Sequence, residues 1–413
     1  MRDIFPEELE TWQEFEEQAR SLLTRYGYQE IRTPLVEEKS LFERSVGQDT
    51  DIVMKEMYTF LDRKGRNLAL RPEGTASVVR AYIQSQYYQR KKISRFWYEG
   101  PMFRYDRPQK GRYRQFYQLG VEILGGKDPY FDVEAISLLR ELVVAAEVSD
   151  AQIHLNSLGC PACQQNYREI LRTFLRSNEV RFCQDCQRRL QSNILRIFDC
   201  KNAQCAEVVR VSPPLIDKLC TSCLAHLQAV KEALDNLGVP VKIDQWLVRG
   251  LDYYTGPVFE AFVSQETNAI AAGGRYDTLV SSLGGPNLPA VGFAIGLDRL
   301  MTLKDSRTHR ASVIRAFFLG GRAKSVGISL IDNLRRLGLA VEVDYEDRPL
   351  KTHLQIAHRE KIQWCLIMGE NEIAQQKFLL KNMETRHQYT IALNEAGQKI
   401  RELTCSETAS VGK

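Results

Sequence analysis

The 413-residue sequence contains no apolar run of the roughly 18 residues needed to span a membrane. Its first residues also lack the apolar stretch of a signal peptide and include the acidic Glu7 and Glu8 instead. Charge of one sign is scarcely in excess, with 56 Lys and Arg against 52 Asp and Glu. These absences exclude a membrane-spanning protein, predict a cytoplasmic location, and leave the global charge uninformative about a nucleic-acid partner.

The sequence also has no Walker P-loop, no dinucleotide-binding fingerprint, no internal repeat and no low-complexity block. Any nucleotide site must therefore use another architecture. The composition is globular, at 44% hydrophobic and 26% charged residues, and the length favours two or three domains at about 150 residues each.

Cysteine is concentrated in one stretch, which holds eight of the ten cysteines. They form four close pairs: Cys160 and Cys163, Cys183 and Cys186, Cys200 and Cys205, and Cys220 and Cys223. Such a pair can supply two thiolates to a tetrahedral zinc ion, so four pairs predict two structural Cys₄ sites, without indicating which pairs combine. The alternative is reduced, buried cysteines that act as small hydrophobic side chains.

Hydrophobic periodicity predicts alternating helices and strands. The predicted helices are 8–26, 132–146 and 224–237. The predicted strands are 93–104, 113–125, 152–156, 258–263, 313–319, 339–345 and 364–368, with a strand-to-helix unit at 290–303. Residues 30–36 are predicted to be extended, with Pro34 restricting them to an edge or an interface. Thr75 is predicted to cap the helix after it, and 304–310 and 406–413 are predicted to be a linker and a disordered tail.

The strands 93–104 and 113–125 are predicted to form a long antiparallel hairpin. In the second strand, alternation directs Leu119, Val121 and Ile123 towards a core and Gln118, Gly120 and Glu122 towards the opposite face. An acid, an amide and a glycine that leaves space suit a polar, cationic ligand such as an amino acid. The alternative is the water-facing side of an antiparallel sheet.

Basic side chains mark two further places. The hairpin loop and its flanks carry Arg104, Arg107, Lys110, Arg112 and Arg114 among tyrosines, which indicates phosphate or nucleic-acid contact, or else a solvated loop. Arg299 lies in the first turn of a helix, where an arginine is unfavourable unless an anion or a nearby acid accompanies it.

Three segments in order resemble the signature motifs of class II aminoacyl-tRNA synthetases: Pro34 in motif 1, residues 103–122 as motif 2 and residues 292–299 as motif 3. Residues 247–254 (LVRGLDYY) and 272–277 (AGGRYD) resemble the two histidine-specific motifs of the histidyl-tRNA synthetase family, and residues 71–75 (RPEGT) agree with it. The resemblance extends from residue 2 to about residue 402.

The resemblance implies an α/β (α+β) fold, in which an antiparallel-sheet catalytic core carries a cysteine-rich insertion and a C-terminal α/β anticodon-binding domain follows. The expected divisions are 1–157 and 225–304 for the core, 158–224 for the insertion and 312–405 for the last domain. The implied activity joins L-histidine to ATP as histidyl-adenylate and then transfers histidine to the 3′ end of its tRNA. A histidine enzyme that bonds both ring nitrogens should need no editing domain.

The resemblance also assigns expected roles to individual positions. The residues expected to hold histidine are Glu73, Gly74, Thr75, Gln118, Glu122, Tyr253, Tyr254 and Tyr276. The residues expected to hold ATP are Arg104, Arg112, Arg249 and Arg299, with Mg²⁺ on the β- and γ-phosphates. Arg104 and Arg249 are expected to bracket the α-phosphate, Arg249 standing where other class II enzymes place a metal ion. Arg107 and Gln109 match positions that read the acceptor end of histidine tRNA, including its extra 5′ guanosine.

The family is homodimeric, and Pro34 with the first helix is the expected interface. Residues 350–358 depart from the usual sequence of the anticodon-binding domain, and His353 and His358 within them are interpreted as surface histidines. One alternative is the inert paralogue that regulates histidine biosynthesis, which typically lacks the last domain and the arginine at position 249. Another is a zinc-ribbon nucleic-acid-binding protein with a decayed core, which the intact Glu73, Arg104 and Glu122 argue against.

Overall fold

The computed structural model describes residues 1–106, 111–148, 150–176, 182–191, 193–200, 202–263, 268–304 and 313–408. The chain divides into two compact units, Met1–Arg307 and Thr308–Lys413. None of the helices in the described ranges combines the length and the apolar character that crossing a membrane would require.

The first unit alternates strands and helices around a large sheet. Its strands are β1 (Gln29–Glu30), β2 (Val36–Glu38), β3 (Thr59–Leu61), β4 (Asn67–Leu70), β5 (Ser94–Phe103), β6 (Gln115–Leu124), β7 (Ala151–Ser157), β8 (Val241–Ile243), β9 (Thr255–Val263), β10 (Ala271–Arg275) and β11 (Ala290–Gly296). Its α-helices are α1 (Pro6–Arg25), α2 (Lys39–Val46), α3 (Thr75–Gln84), α4 (Tyr87–Arg90), α5 (Tyr130–Ala145), α6 (Pro161–Arg176), α7 (Gln184–Gln191), α8 (Ala203–Arg210), α9 (Thr221–Asn236), α10 (Leu279–Ser282) and α11 (Leu297–Met301).

Eight strands form the large sheet in the order β1-β5-β6-β11-β10-β9-β7-β8. The six central strands pair antiparallel, and only the outer pairs β1-β5 and β7-β8 are parallel. A separate three-stranded antiparallel sheet has the order β2-β4-β3. The predicted hairpin is confirmed as β5 and β6, and it lies near one side of the large sheet.

The two faces of β6 have the predicted difference in character. Leu119, Val121 and Ile123 are fully buried in the same hydrophobic cluster as Ile136 and Leu139 of α5. Helix α1 also packs into this cluster and is confirmed, beginning at Pro6, a residue whose missing N–H suits the first turn of a helix. The opposite face carries the polar Gln118 and Glu122 and packs in part against a second hydrophobic cluster that includes Phe96 and Tyr98.

The predicted extended segment 30–36 is wrong in its extent. The chain forms β1 up to Glu30 and resumes a strand only at Val36. The reason is a change of sheet, since β1 pairs with β5 whereas β2 pairs with β4. Pro34 lies in the crossing, where a residue without an N–H disturbs no ladder.

The second unit contains a five-stranded sheet in the order β13-β12-β14-β15-β16. Its elements are β12 (Ile314–Phe318), α12 (Gly321–Arg336), β13 (Val341–Asp344), α13 (Leu350–Arg359), β14 (Trp364–Met368), α14 (Glu370–Ala374), β15 (Lys377–Asn382), β16 (Gln388–Ala392) and α15 (Ala396–Thr408). The three predicted strands are confirmed as the parallel trio β13, β12 and β14. Helix α15 includes residues 406–408 of the predicted disordered tail, and residues 305–310 of the predicted linker lie outside the described residues.

The interpretation of His353 as a surface residue is wrong. Its side chain is fully buried, with Nδ1 3.1 Å from Asp344 Oδ2 and the ring stacked on Phe317 at 4.6 Å between centroids. Helix α13 turns this residue towards β12, whereas His358 is exposed. Helical position alone does not reveal which face of a helix meets a sheet.

Candidate active site

Small residues line one face of the large sheet. Gly120 of β6 lies beside Tyr98 of β5 and Ala294 of β11, and the same cross-strand row continues through Ala272 to Glu260. Because side chains on neighbouring strands in register share a face, the row forms a floor with bulky groups only at its ends. The Tyr98 ring fills the space at Gly120, whereas Ala294 and Ala272 are only partly buried and leave room for a ligand.

Glu122 is the acid at the centre of the next cross-strand row, where it lies beside Gly292. It is 1% exposed, accepts a 2.6 Å hydrogen bond from Thr75 Oγ1 and accepts a second from Tyr276 Oη. Burial raises the pKa of Glu122 to about 8, against the two hydrogen bonds, which lower it. A buried carboxyl held in place by two hydroxyl groups is suited to receive a ligand N–H or cation.

The turn before α3 brings a second acid to the same place. Glu73 accepts hydrogen bonds from the backbone N–H groups of Thr75, at 2.6 Å, and Ala76, at 3.0 Å. The prediction that Thr75 caps this helix is wrong, because Thr75 is the first helical residue and its hydroxyl bonds Glu122 instead. Burial raises the pKa of Glu73, while the two N–H groups lower it.

Tyr98 belongs to this site, although sequence reasoning missed it. Its ring lies against both Gly74 and Gly120, so that a Cβ on either glycine would overlap the ring. Burial raises the pKa of Tyr98 well above its ordinary value, and the charges of Glu122 and Glu73 add to the effect. Only the register of β5 against β6 shows this residue, since Tyr98 carries no signal in the sequence.

Three tyrosines form one wall of the pocket. The ring centroids of Tyr253 and Tyr254 are 4.6 Å apart, and Tyr276 lies 5.5 Å from Tyr253 and 6.4 Å from Tyr254. All three side chains are buried. The two histidine-like motifs, separated by 17 residues or more in sequence, are thus brought together, as the resemblance predicts.

Arg249 joins this wall to the far end of the floor. Its guanidinium lies 5.2 Å from the Tyr254 ring centroid and forms an ion pair with Glu260. Burial lowers the pKa of Arg249, but Tyr254 and Glu260 outweigh it, so the pKa is raised above its ordinary value. Nε of Arg249 is buried and has no hydrogen-bond partner among the described residues.

Arg104 lies at the end of β5, beside the turn that carries Glu73. Its Nε donates to the Pro72 carbonyl at 2.8 Å, and its guanidinium lies 5.3 Å from the Phe116 ring centroid. Burial lowers the pKa of Arg104, while Glu56 and Glu73 raise it. A second, partly buried cation therefore lies near Glu73.

The remaining basic residues lie around the hairpin loop. Arg112 donates to Asp106 at 3.2 Å and to Asn268 at 3.1 Å. Arg299 donates to the Ala269 carbonyl, and its side chain passes close to Gly111. Arg107 and Gln109 lie outside the described residues, so their predicted contacts remain predictions.

Gln118 and Arg71 complete the surroundings. Oε1 of Gln118 is buried with no hydrogen-bond partner among the described residues, which leaves one acceptor that a ligand could bond. Arg71, which sequence reasoning did not assign to the site, donates to Thr33 Oγ1 at 2.9 Å and to the Pro101 carbonyl at 3.0 Å. It therefore fixes the turn that presents Glu73.

The eight clustered cysteines form two groups of four. In each group the four sulfur atoms lie within 4.8 Å of one another. The first group, here called site A, is Cys160, Cys163, Cys220 and Cys223, and the second, site B, is Cys183, Cys186, Cys200 and Cys205. The structure thus indicates how the pairs combine, which their spacing left open.

The comparisons with known proteins agree with this geometry. Residues 1–300 match the family model described as histidyl-tRNA synthetase. The chain belongs to the histidyl-tRNA synthetase family. Residues 318–403 match the anticodon binding domain. Both the resemblance and the fold class stated from the sequence are therefore confirmed, whereas the cysteine-rich stretch as an insertion stays a prediction.

Relatives of the family resemble the whole chain. The histidine–tRNA ligase of Desulfatibacillum aliphaticivorans is 45% identical over 407 residues, and that of Thermodesulfovibrio yellowstonii is 43% identical over 406 residues, each match covering 97% of both chains. The apo histidyl-tRNA synthetase of S. aureus has a similar structure, with a TM-score of 0.81, 32% identity and 97% coverage of both chains.

Proposed function

We propose that the protein is a histidine–tRNA ligase. It activates L-histidine with ATP to histidyl-adenylate and pyrophosphate, and then transfers histidine to the 3′ end of its tRNA with release of AMP. The observation that carries the proposal is the buried Glu122, bonded to Thr75 and Tyr276, on the same face of the sheet as Glu260, the ion-pair partner of Arg249. Family membership supports it independently.

The proposed histidine pocket is lined by Glu73, Gly74, Thr75, Gln118, Glu122, Tyr253, Tyr254 and Tyr276. A carboxylate can accept an imidazole N–H, while a tyrosine hydroxyl can bond the other ring nitrogen. A pocket that bonds both nitrogens should reject isosteres lacking them by about 10⁴ to 10⁵. Amino-acid specificity then follows from binding, without an editing domain.

Activation is attack of the histidine carboxylate on the α-phosphorus of ATP, with pyrophosphate as the leaving group. This step needs little acid–base chemistry, because the main requirement is stabilisation of charge on the phosphate oxygens. We assign that role to Arg104 and Arg249, whose guanidinium groups are partly buried and are held by the Pro72 carbonyl and by Glu260 respectively. Arg112 and Arg299 are proposed to hold the rest of ATP, with Mg²⁺ neutralising its β- and γ-phosphates.

The proposed macromolecular partners are histidine tRNA and a second copy of the chain. Arg107 and Gln109 would contact the acceptor end, and the second unit would bind the anticodon, since it matches the anticodon binding domain. Next to Pro34, Leu35 and Val36 are 40% and 39% exposed. Exposed apolar side chains at this place support a homodimer interface. A cytoplasmic location fits the proposed charging of histidine tRNA.

The cysteine groups are proposed to hold structural zinc in an insertion at 158–224, between core segments 1–157 and 225–304. In a tetrahedral site with zinc–sulfur bonds of about 2.3 Å, sulfur atoms lie about 3.8 Å apart. The Sγ atoms of Cys160 and Cys163 are 3.6 Å apart, and those of Cys183 and Cys200 are 3.8 Å apart. Both distances fit zinc and exceed the roughly 2.05 Å of a disulfide.

Pyrophosphate exchange into ATP, run with histidine and with each other amino acid separately, tests the proposed function. Exchange with histidine alone would support activation of this amino acid, and charging of histidine tRNA would complete the test. Exchange with no amino acid would contradict the proposal and favour a regulatory binding protein of the same fold.

A further inference from the structure

Site A lies at the starts of two helices. Cys160 directly precedes α6 and Cys163 lies in its first turn, while Cys220 precedes α9 and Cys223 lies in its first turn. The backbone N–H of Cys160 donates to Cys223 Sγ at 3.3 Å, and that of Cys220 donates to Cys163 Sγ at 3.2 Å. The two pairs are therefore locked by reciprocal contacts, although they are 57 residues or more apart in sequence.

Gln164 follows Cys163 in the sequence, and its side chain extends from site A to Tyr254 in the wall of the pocket. Its side chain is buried, and Nε2 donates to the carbonyl of Tyr254 at 2.9 Å. Gly159 assists it, since its carbonyl accepts the N–H of Gly256 at 2.9 Å. The start of α6 is thus bonded to the backbone of the segment that carries Tyr253 and Tyr254.

Tyr254 connects this contact to the proposed site. Its ring is packed against Tyr253 and lies next to the guanidinium of Arg249. A shift of the Tyr254 backbone would therefore move a wall of the histidine pocket and the support of a phosphate-binding arginine together.

We infer that site A binds zinc and, through Gln164, positions Tyr254, so that metal occupancy is coupled to histidine binding. This inference rests on the proposed function. Zinc binds cysteine in its thiolate form, and metal binding at a four-cysteine site is coupled to folding of the surrounding structure. Loss of zinc from site A should therefore release the start of α6, with it the hydrogen bond of Gln164, and weaken the pocket wall.

Gln187 provides a matched control within the chain. It follows Cys186 of site B as Gln164 follows Cys163, and its Nε2 donates to the Phe182 carbonyl at 3.1 Å, a contact within the cysteine-rich stretch. Gln164→Met and Gln187→Met therefore make the same chemical change beside equivalent cysteines. Only the first removes a donor from the pocket wall.

The test combines metal analysis with histidine-dependent pyrophosphate exchange on the full-length protein purified without chelator. The parent should contain two zinc ions per chain, one for each four-cysteine site. Gln164→Met should keep them and raise the KM for histidine about fivefold to tenfold, because a buried carbonyl loses its donor. Gln187→Met should leave that KM within about twofold. Cys220→Ser should lose one zinc and raise the KM at least as much as Gln164→Met.

Three results would overturn the inference while leaving the proposed function intact. The first is histidine-specific exchange by a parent that contains no zinc, and the second is a Gln164→Met variant with full zinc and an unchanged KM for histidine. An equal rise in KM for Gln187→Met would also overturn it, by showing a general loss of order. Absence of exchange in the parent would instead contradict the proposed function, and the inference with it.

Discussion

At the residue scale, the site combines two buried carboxyl groups, Glu73 and Glu122, with two partly buried guanidinium groups, Arg104 and Arg249. Glu122 and Glu73 gain raised pKa values from burial, while Arg249 keeps its charge because Glu260 and Tyr254 favour it. Charges that are held in place by other protein groups before a substrate arrives do not have to reorganise during the reaction. The predicted effects of single substitutions follow from this arrangement.

Arg249→Ala should lower the rate of histidine activation by about 10² to 10³, because it removes one preorganised cation from the phosphate site. Pyrophosphate exchange measures the rate, and thermal unfolding reports whether the fold persists. Arg336→Ala is a suitable control, since that side chain is 79% exposed in the second unit. Near-normal turnover of Arg249→Ala would refute the assigned role.

Glu122 should make stability depend on pH in the ligand-free protein. Its pKa is raised from 4.5 to about 8, so the folded state binds more protons than the unfolded state between these values. The free energy of unfolding should therefore fall as the pH rises through this window. Glu122→Gln should flatten part of that fall, which urea unfolding midpoints at pH 5 to 8 (about the span of the window) would measure.

Glu99→Gln is the matched control for this titration. Burial and the nearby Glu16 raise the pKa of Glu99 to about 8 as well, so this variant should also flatten the pH dependence. Glu99 lies opposite Leu119, on the face of the hairpin away from Glu122, and its substitution should leave histidine binding unchanged. A Glu122→Gln variant with the parent's full pH dependence would contradict the raised pKa.

At the element scale, the site depends on positions in the central strands that have no side chain. Gly292 of β11 lies beside Glu122, and a Cβ there would overlap the Glu122 carboxylate and lie 2.9 Å from Tyr276 Oη. The same Cβ would also overlap the Val121 carbonyl, so an added side chain would displace the groups that surround Glu122.

Gly292→Ala should therefore raise the KM for histidine by tenfold or more and destabilise the protein by about 1 to 3 kcal/mol, as overpacking of a tight site does. Steady-state exchange and urea unfolding would measure the two effects. Gly321→Ala is the control, because a Cβ there meets no atom within 4 Å and the residue lies at the start of α12. Unchanged histidine binding in Gly292→Ala would contradict the proposed position of the ligand.

At the scale of the whole molecule, each unit has its own hydrophobic core. The first unit contains two large clusters, and the second packs both faces of β14, with Trp364, Leu366 and Met368 in one cluster and Cys365 and Ile367 in another. Separate cores are what allow a domain to fold alone. The two proposed steps should accordingly respond differently to removal of the second unit.

A chain ending at residue 307 should retain histidine-dependent exchange within about threefold, because every described residue assigned to activation lies in the first unit. Charging of histidine tRNA at limiting tRNA should fall by at least about tenfold, since a nucleic-acid contact worth about 1 to 3 kcal/mol is lost. Parallel exchange and aminoacylation assays would separate the two. Equal loss of both activities would contradict independent roles for the units.

Much of this protein can be read from local sequence patterns. The alternation along β6 places Glu122 and its neighbour Val121 on opposite faces of the sheet. The helical period of the apolar residues indicates α1, and the spacing of the cysteines indicates paired thiolates. Each of these features depends on residues only a few positions apart. The motif resemblance added the site residues, because motifs record which residue types a site requires.

Tertiary structure alone decided the features that depend on distant segments. Strand register placed Tyr98 between Gly74 and Gly120, and packing buried His353. Strand β1 ends before Pro34 because the chain passes there from the large sheet to the three-stranded sheet. Chain crossings likewise brought Cys160 to Cys223 and Gln164 to Tyr254. The physical reason is that such pairings are selected by the free energy of the whole packed arrangement, which no short window of sequence contains.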